Sequence, residues 1–173
     1  VTQALLKAYG KPLVAPSANP FTKVSPTTSL HVSESFSDSS LLILEGGRCD
    51  VGLESTIIDA TLQQSFAVLR HGVLDEALLR QVLKDIEEVD AKKINAPGQM
   101  AIHYQPKTPL YYFETHEALQ AFVALSTKEI YALTFEPLHS VYEQFIFEKE
   151  PAKVAYALYY QLRLADTKGA TLI

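Results

Sequence analysis

The sequence has a single cysteine, Cys49. One thiol cannot close a disulfide within the chain and provides no cysteine cluster for a metal. No apolar run approaches the roughly 20 residues that a membrane-crossing helix needs. No signal peptide is legible at the start, so a cytoplasmic protein is the expectation. Positive charge is also scarce: the formal net charge is −5. That balance excludes a broad, nonspecific nucleic-acid surface, which needs a basic face, but leaves room for a local basic patch. Internal repeats and low-complexity tracts are absent, and no serine stands in a Gly-x-Ser-x-Gly elbow.

What is present is ordinary for a soluble globular protein, with 47% hydrophobic and 20% charged residues. A length of 173 residues fits one domain or two small ones. Two polar, loop-forming stretches stand out, each touching an apolar strand. The first is Val14-Ala15-Pro16-Ser17-Ala18-Asn19-Pro20, running on to Ser25-Pro26-Thr27-Thr28. The second runs from Glu45-Gly46-Gly47-Arg48 through Asp50 and Gly52-Leu53-Glu54-Ser55-Thr56. Small residues let backbone approach a ligand, hydroxyls donate and accept around it, and prolines hold the turns.

Ser25-Pro26 reads as a helix start, with serine as N-cap and proline at the first helical position. The helix is expected over about Thr27 to Phe36. Its free N–H groups would favour a phosphate or carboxylate, with Ser17 and Asn19 just ahead, after a short strand Pro12–Ala15. Gly46-Gly47 and Gly52 mark turns between the apolar runs Leu41–Leu44 and Thr56–Ile58. A capped turn without a ligand and a solvated hairpin loop explain these local patterns equally well.

Elsewhere, Thr2–Tyr9 reads as a helix with Leu5, Leu6 and Tyr9 on one side and Gly10 as its stop. Ser33–Ser40 reads as a surface turn and Leu41–Leu44 as a buried strand. Ser55–Thr61 and Ser65–Leu69 read as a hairpin. Asp75 is expected to cap a helix from Glu76 to Glu88, with Leu78, Val82, Leu83, Ile86 and Val89 inward. Asp90–Pro109 reads as a linker. Composition changes after it: eight of the nine tyrosines lie at or beyond Tyr104, but only one of the seven glycines does. The last segment alternates strands (Leu110–Phe113, Glu129–Thr134, Gln144–Phe147 and a start at Ala170–Ile173) with helices (His116–Ser126 and Pro151–Asp166). Leu119, Phe122, Val123 and Leu125 would face inward from the first helix. Val154, Ala155, Leu158, Leu162 and Ala165 share one face of the second. This alternation points to a small α/β unit with a largely parallel sheet.

Taken together, the motifs resemble a known family. Ala15-Pro16-Ser17-Ala18-Asn19, Ser25-Pro26-Thr27 and Gly52-Leu53-Glu54-Ser55-Thr56-Ile57-Ile58-Asp59 are similar to those of the YrdC-like L-threonylcarbamoyladenylate synthase family. Leu69-Arg70-His71-Gly72 resembles that family's Arg-Pro-Gly turn. Ala96-Pro97-Gly98-Gln99-Met100 and His103-Tyr104-Gln105-Pro106-Lys107-Thr108-Pro109-Leu110 resemble the interdomain linker of its two-domain members. The implied fold is α/β: a partial YrdC-like twisted mixed sheet with helices, a Pro-rich linker, then a small Rossmann-like domain. The implied division is residues 1–90 as the C-terminal portion of the catalytic domain, 91–109 as linker and 110–173 as the incomplete second domain. Members also carry an earlier segment with a Lys-x-Arg motif, and a second domain that continues further. The chain is therefore expected to be truncated at both ends and to have little activity alone.

The resemblance implies a synthase that joins L-threonine, bicarbonate and ATP into threonylcarbamoyl-AMP and releases pyrophosphate. The product would pass to downstream proteins that make N6-threonylcarbamoyladenosine in tRNA. No catalytic nucleophile is required and no tightly bound cofactor is implied; Mg2+ would accompany ATP, held mostly by phosphate and water. By resemblance, Ser17 and Ser55 contact threonine. Ala15 (through its backbone), Asn19, Ser25, Arg70, His103 and Tyr104 serve ATP, with Asn19 ordering the loop or reaching phosphate and Tyr104 closing over the nucleotide. The prolines and Gly98 of the linker add the expectation that docking of Tyr104 couples the second domain to nucleotide occupancy. A weak contact with tRNA or double-stranded RNA is also implied, and no membrane. Three departures fall in loops: Pro20-Phe21-Thr22-Lys23 for a Ser-Gly turn, His71 for proline, and Gln99 within a Pro-Gly-Met step. Two rival readings remain: a nucleotide- or RNA-binding protein of the same fold without synthase activity, and a serine hydrolase using Ser17 or Ser55 with a histidine.

Overall fold

Helix α1 (Thr2–Tyr9) stops where its glycine stands: Gly10 takes φ 69° and its N–H donates to the Leu6 carbonyl at 2.9 Å. The computed structural model describes residues 1–36, 40–61, 64–74, 76–83, 87–88 and 103–173. Pro12–Ala15 and Leu41–Leu44 do not form the expected strands. A strand requires a neighbour to take its N–H and C=O groups, and no described strand pairs with either run. Both runs are solvent-facing, with Val14 99% exposed.

Helix α2 (Ser29–Ser35) starts later than the Ser-Pro signal suggests. Its cap is Thr28, whose side chain accepts from the His31 N–H at 3.2 Å. Ser25 is not a cap, because its hydroxyl is turned to Glu54 instead. With the start moved, Ser33–Ser35 belong to the helix and not to a surface turn.

Strands β1 (Ile57–Asp59) and β2 (Ser65–Arg70) form the expected antiparallel hairpin, with a register shift between Ile57 and Ile58 that brings Arg70 opposite Ile57. Strand β3 (Glu87–Glu88) adds to β2 in parallel, making a mixed three-stranded sheet. Helix α3 (Glu76–Val82) is therefore shorter than Glu76–Glu88. Over its seven residues the inward position is Leu79, while Leu78 is exposed and Val82 is 75% exposed. The longer apolar stripe had favoured the adjacent face, but the helix ends before that stripe can act. Asp75, Ile86, Val89 and residues 91–102, where the linker is expected, lie outside the described residues.

In the C-terminal unit, helix α4 (His116–Leu125) is capped by Thr115, which accepts from Ala118 N–H at 3.2 Å. Strands β4 (Tyr131–Thr134) and β5 (Glu143–Ile146) pair in parallel. Helix α5 (Pro151–Thr167) opens with proline at its first position. Strand β4 is covered on both faces. Tyr131 and Leu133 pack toward α5, whereas Ile130 and Ala132 pack toward Val123, Leu119 and Phe122 of α4. Two-sided burial explains why Ile130–Leu133 reads as an unbroken apolar run. Leu125 is an exception to the inward set, at 87% exposed, because it occupies the last residue of the helix. Leu110–Phe113 forms no full strand; the Tyr111 N–H donates to Ile173 and the Ile173 N–H to Pro109, each at 2.9 Å. Leu172 bridges Ile130 in parallel.

Helix α5 also packs against the first unit. Tyr159, Leu162 and Ala165 share one cluster with Val24, and Leu53 and Tyr104 border it. Gly52 takes φ 80°, and a Cβ there would lie 2.6 Å from the Tyr156 carbonyl oxygen. The Arg48 guanidinium lies 3.8 Å from the Tyr156 ring centre and 4.3 Å from that of Tyr160, and donates to the Tyr156 carbonyl at 2.8 Å. Buried His31 accepts the Thr27 N–H on Nδ1 at 3.2 Å and its ring packs against Tyr160. Burial foremost, then Arg163 and Arg48, hold its pKa down to about 4.

Gly52→Ala should lower stability by about 2 kcal/mol or more, because the methyl meets backbone and the φ disfavours any side chain. An unchanged urea midpoint would contradict this packing. His31 titrates lower folded than unfolded, so its contribution is full at neutral pH and is lost as pH falls from about 6.5 toward 4. Allowing for solvent screening, about 1 kcal/mol should disappear between pH 7 and 5. His31→Gln should flatten that part of the profile, and an identical pH dependence in both proteins would refute the assignment.

Candidate functional site

Arg70, at the end of β2, gathers the second motif around one guanidinium. Its Nε donates to the Ser55 carbonyl at 3.0 Å, its Nη2 to Ser55 Oγ at 3.0 Å, and its Nη1 to Tyr104 Oη at 2.8 Å. Glu54 pairs with it at 3.5 Å. The other oxygen of Glu54 accepts from the buried Ser25 hydroxyl. A continuous polar chain thus runs Ser25–Glu54–Arg70, and forks to Ser55 and Tyr104. An arginine fork suits this task because its rigid donors can serve several acceptors at once.

The turn after Arg70 explains why its side chain lands there. A Cβ on Gly72 would lie 2.4 Å from both Ser55 C and Thr56 N, so the turn crosses the Glu54–Thr56 backbone in direct contact. The Val73 N–H donates to the Glu54 carbonyl at 3.2 Å. Thr56 Oγ1 accepts the Leu74 N–H at 3.0 Å and donates to the Leu74 carbonyl at 2.8 Å. His71, in place of the family proline, is exposed.

Tyr104 comes from 34 residues beyond Arg70. Its backbone is left-handed, at φ 55°, a conformation that costs a non-glycine residue about 1 kcal/mol or more. The ring stacks on Tyr159 of α5, with centroids 5.7 Å apart. Burial, then the Glu54 charge, push the Tyr104 hydroxyl above its usual range, against a smaller opposing pull from Arg70. Burial pushes Tyr159 up strongly. Both phenols therefore stay protonated at neutral pH.

The variant loop at 20–23 forms the strip on which this segment lies. The Gln105 N–H donates to the Thr22 carbonyl at 2.9 Å, and Lys23 bridges Gln105 in parallel. Asn19 Nδ2 donates to the Lys23 carbonyl at 3.0 Å, which orders the loop. His103 packs edge-on against Tyr104, with centroids 4.0 Å apart. Two buried atoms here, Asn19 Oδ1 and His103 Nδ1, have no protein partner.

The structure thus brings Ser25, Ser55, Arg70 and Tyr104 into one network, with His103 packed on Tyr104 and Asn19 in the adjoining loop. It does not bring in Ala15 or Ser17: both are exposed, and no hydrogen bond among the described residues joins them to the network. The anion site expected at a helix beginning near Ser25 is also absent, because α2 begins at Ser29. Ser55 Oγ faces a guanidinium, a hydrogen-bond donor that cannot serve as a hydrolase's base. Two participants were not singled out from sequence. Glu54 carried a signal, a carboxylate inside the Gly-Leu-Glu-Ser-Thr motif. Tyr159 carried none, since it lies on a distant helix whose stripe reads as packing. A separate cavity of about 530 Å3 lies in the C-terminal unit between Leu110–His116 and Thr134–Glu136 and includes no residue of this network.

The Sua5/YciO/YrdC family model, described as telomere recombination, matches residues 1–72. The model described as the C-terminal domain of threonylcarbamoyl-AMP synthase matches residues 73–173, more than half of the chain. Threonylcarbamoyl-AMP synthase of Pyrococcus abyssi is 35% identical over 118 residues, covering 64% of this chain and 34% of that protein. Its namesake in Bacillus subtilis is 32% identical over 113 residues, covering 62% and 32%. The chain therefore spans about a third of the length of these curated relatives. The crystal structure of P. abyssi Sua5 complexed with L-threonine superposes with a TM-score of 0.82 at 26% identity, covering 98% of this chain and 53% of that one. A variant of that protein with a consecutive histidine and tyrosine replaced by alanine superposes with a TM-score of 0.80 at 25% identity, covering 99% and 53%. With both family models matched in chain order and the α/β fold shared over nearly its whole length, this chain belongs to the Sua5-type threonylcarbamoyl-AMP synthase family.

Proposed function

We propose that the chain forms part of an L-threonylcarbamoyladenylate synthase, which makes threonylcarbamoyl-AMP and pyrophosphate from L-threonine, bicarbonate and ATP. The observation that carries this reading is the Ser25–Glu54–Arg70 network with its branches to Ser55 and Tyr104. It occurs in a fold shared with a protein solved in complex with L-threonine. Three ligands must be held together while charge develops on phosphate and carbamate, so positioning and electrostatic stabilisation matter most.

The hydrogen-bond directions suit that task. Ser55 Oγ and Tyr104 Oη both accept from Arg70, which leaves each hydroxyl proton free to donate to an anionic ligand. We assign Ser17 and Ser55 to threonine; Ser17 is solvent-facing and open to a ligand. Ala15, Asn19, Ser25, Arg70, His103 and Tyr104 are assigned to ATP. A phosphate at Arg70 would replace its 3.5 Å pairing with Glu54. His103-Tyr104 is the only consecutive His-Tyr pair in this chain, and such a pair was the target of the alanine variant solved for the P. abyssi protein. Mg2+ enters as part of the ATP substrate. Phosphate and water would supply most of its ligands.

On this reading residues 1–90 are the C-terminal portion of a catalytic domain, 91–109 the linker, and 110–173 part of a small α/β second domain. The product passes to tRNA-modifying proteins in the cytoplasm, with at most a weak contact to tRNA or double-stranded RNA. Among the described residues, no helix is long and apolar enough to cross a membrane.

The test is ATP–pyrophosphate exchange by the intact protein, which should require both threonine and bicarbonate. Ser55→Ala and Ser17→Ala should each raise the threonine KM about 10-fold, as expected for losing a hydrogen bond to a charged group. Arg70→Lys should lower kcat/KM for ATP about 10- to 100-fold. ATP or RNA binding with no exchange under any condition would refute the synthase reading in favour of a binding protein of the same fold.

A further inference from the structure

Arg163 projects from α5 into the first unit and meets four acceptors. Nη2 donates to the Val24 carbonyl at 2.6 Å, and Nε to the Ser25 carbonyl at 3.3 Å. Nη1 donates to the His31 carbonyl at 3.3 Å and to Ser35 Oγ at 3.1 Å. These acceptors come from two segments, the Val24-Ser25 backbone and helix α2. The guanidinium is partly buried, and that burial lowers its pKa against the opposing charges of Glu34 and Asp166. Desolvating a charge is costly unless its donors are satisfied. Here the fork is satisfied almost wholly by backbone carbonyls of the other unit.

The consequence falls on Ser25. Arg163 holds its carbonyl, while its hydroxyl meets Glu54, the partner of Arg70. The same helix receives the reverse contact: Arg48 of the first unit stacks on Tyr156 and Tyr160 and donates to the Tyr156 carbonyl. Two arginines thus cross the same interface in opposite directions, and each ends on backbone oxygen.

We propose that Arg163 is a positioning residue of the second unit that sets the conformation of the Ser25 segment, so that nucleotide affinity depends on the docking of α5. Resting on the synthase reading above, this assigns the second unit a part in building the nucleotide site. A lysine cannot replace Arg163, because one ammonium on a flexible stem cannot span both segments. Threonine contacts at Ser55 are set by Arg70 and the Gly72 turn, and should not respond.

The experiment compares Arg163→Lys and Arg163→Gln with the unaltered intact protein, with Ser35→Ala as a milder variant that removes one acceptor and leaves α5 untouched. Amide hydrogen exchange over residues 24–35 should accelerate about 10-fold or more in the Arg163 variants, and less in Ser35→Ala. ATP should bind about 10-fold more weakly by calorimetry, while the threonine Kd stays within about 2-fold. The His31 ring should titrate at higher pH by NMR once the neighbouring charge is removed in Arg163→Gln. Unchanged exchange over 24–35 overturns the proposal, as does faster exchange with an unaltered ATP Kd. If the unaltered protein binds neither ATP nor threonine, the synthase reading fails on its own, and Arg163 is then an interface latch without a nucleotide site.

Discussion

Helix α5 is the surface on which the rest of the described structure depends. Its inner face supplies the core under β4, and its outer face receives Gly52, Arg48, His31 and the Val24-Ser25 backbone. The approach at Gly52 is close enough that no side chain fits, so the second motif lies flush on the helix. Burying polar groups in such an interface is tolerable only if they are paired. Arg163 meets that requirement mainly through carbonyl oxygens, which carry no sequence signature, and Arg48 places one Nη on the Tyr156 carbonyl while its Nε stays without a protein partner.

The same logic organises the candidate site. Arg70 lies at the meeting of three separate parts of the chain: the Glu54-Ser55 turn, the end of β2 and Tyr104. Ser55 and Tyr104 take directed hydrogen bonds from its guanidinium, and Glu54 adds an ion pair at 3.5 Å. The site is therefore pre-organised by the protein's own hydroxyls and carboxylate before any ligand arrives. Tyr104 belongs to both the site and the interface, since its hydroxyl meets Arg70 while its ring stacks on Tyr159. Helix α5 thus touches the site at two points, the Tyr104 ring and the Ser25 backbone.

Sequence reasoning worked best where the signal was local. The stop at Gly10, the hairpin of β1 and β2, and the helices α4 and α5 follow from caps, turns and apolar periodicity. It worked least well where an element needs a partner. Pro12–Ala15 and Leu41–Leu44 have strand-like composition yet no described neighbour to pair with, and they lie exposed. The Ser25-Pro26 signal misplaced the start of α2, because the Ser25 hydroxyl found a stronger partner in Glu54, 29 residues away. Leu78 and Leu79 could not be ranked from a stripe whose helix ends after seven residues.

The sequence by itself determined the α/β class and the family, because both rest on short ordered motifs and on the alternation of strand and helix. It also marked most of the residues that meet at Arg70, since their types and order are written in the motifs. Tertiary structure alone decided which of them touch. Ser25, Ser55, Arg70 and Tyr104 come together, no hydrogen bond among the described residues joins Ala15 or Ser17 to them, and Arg163 enters from 138 residues beyond Ser25. The physical reason is that a hydrogen bond is satisfied by whichever partner the folded chain brings within about 3 Å, and separation along the chain says nothing about that distance.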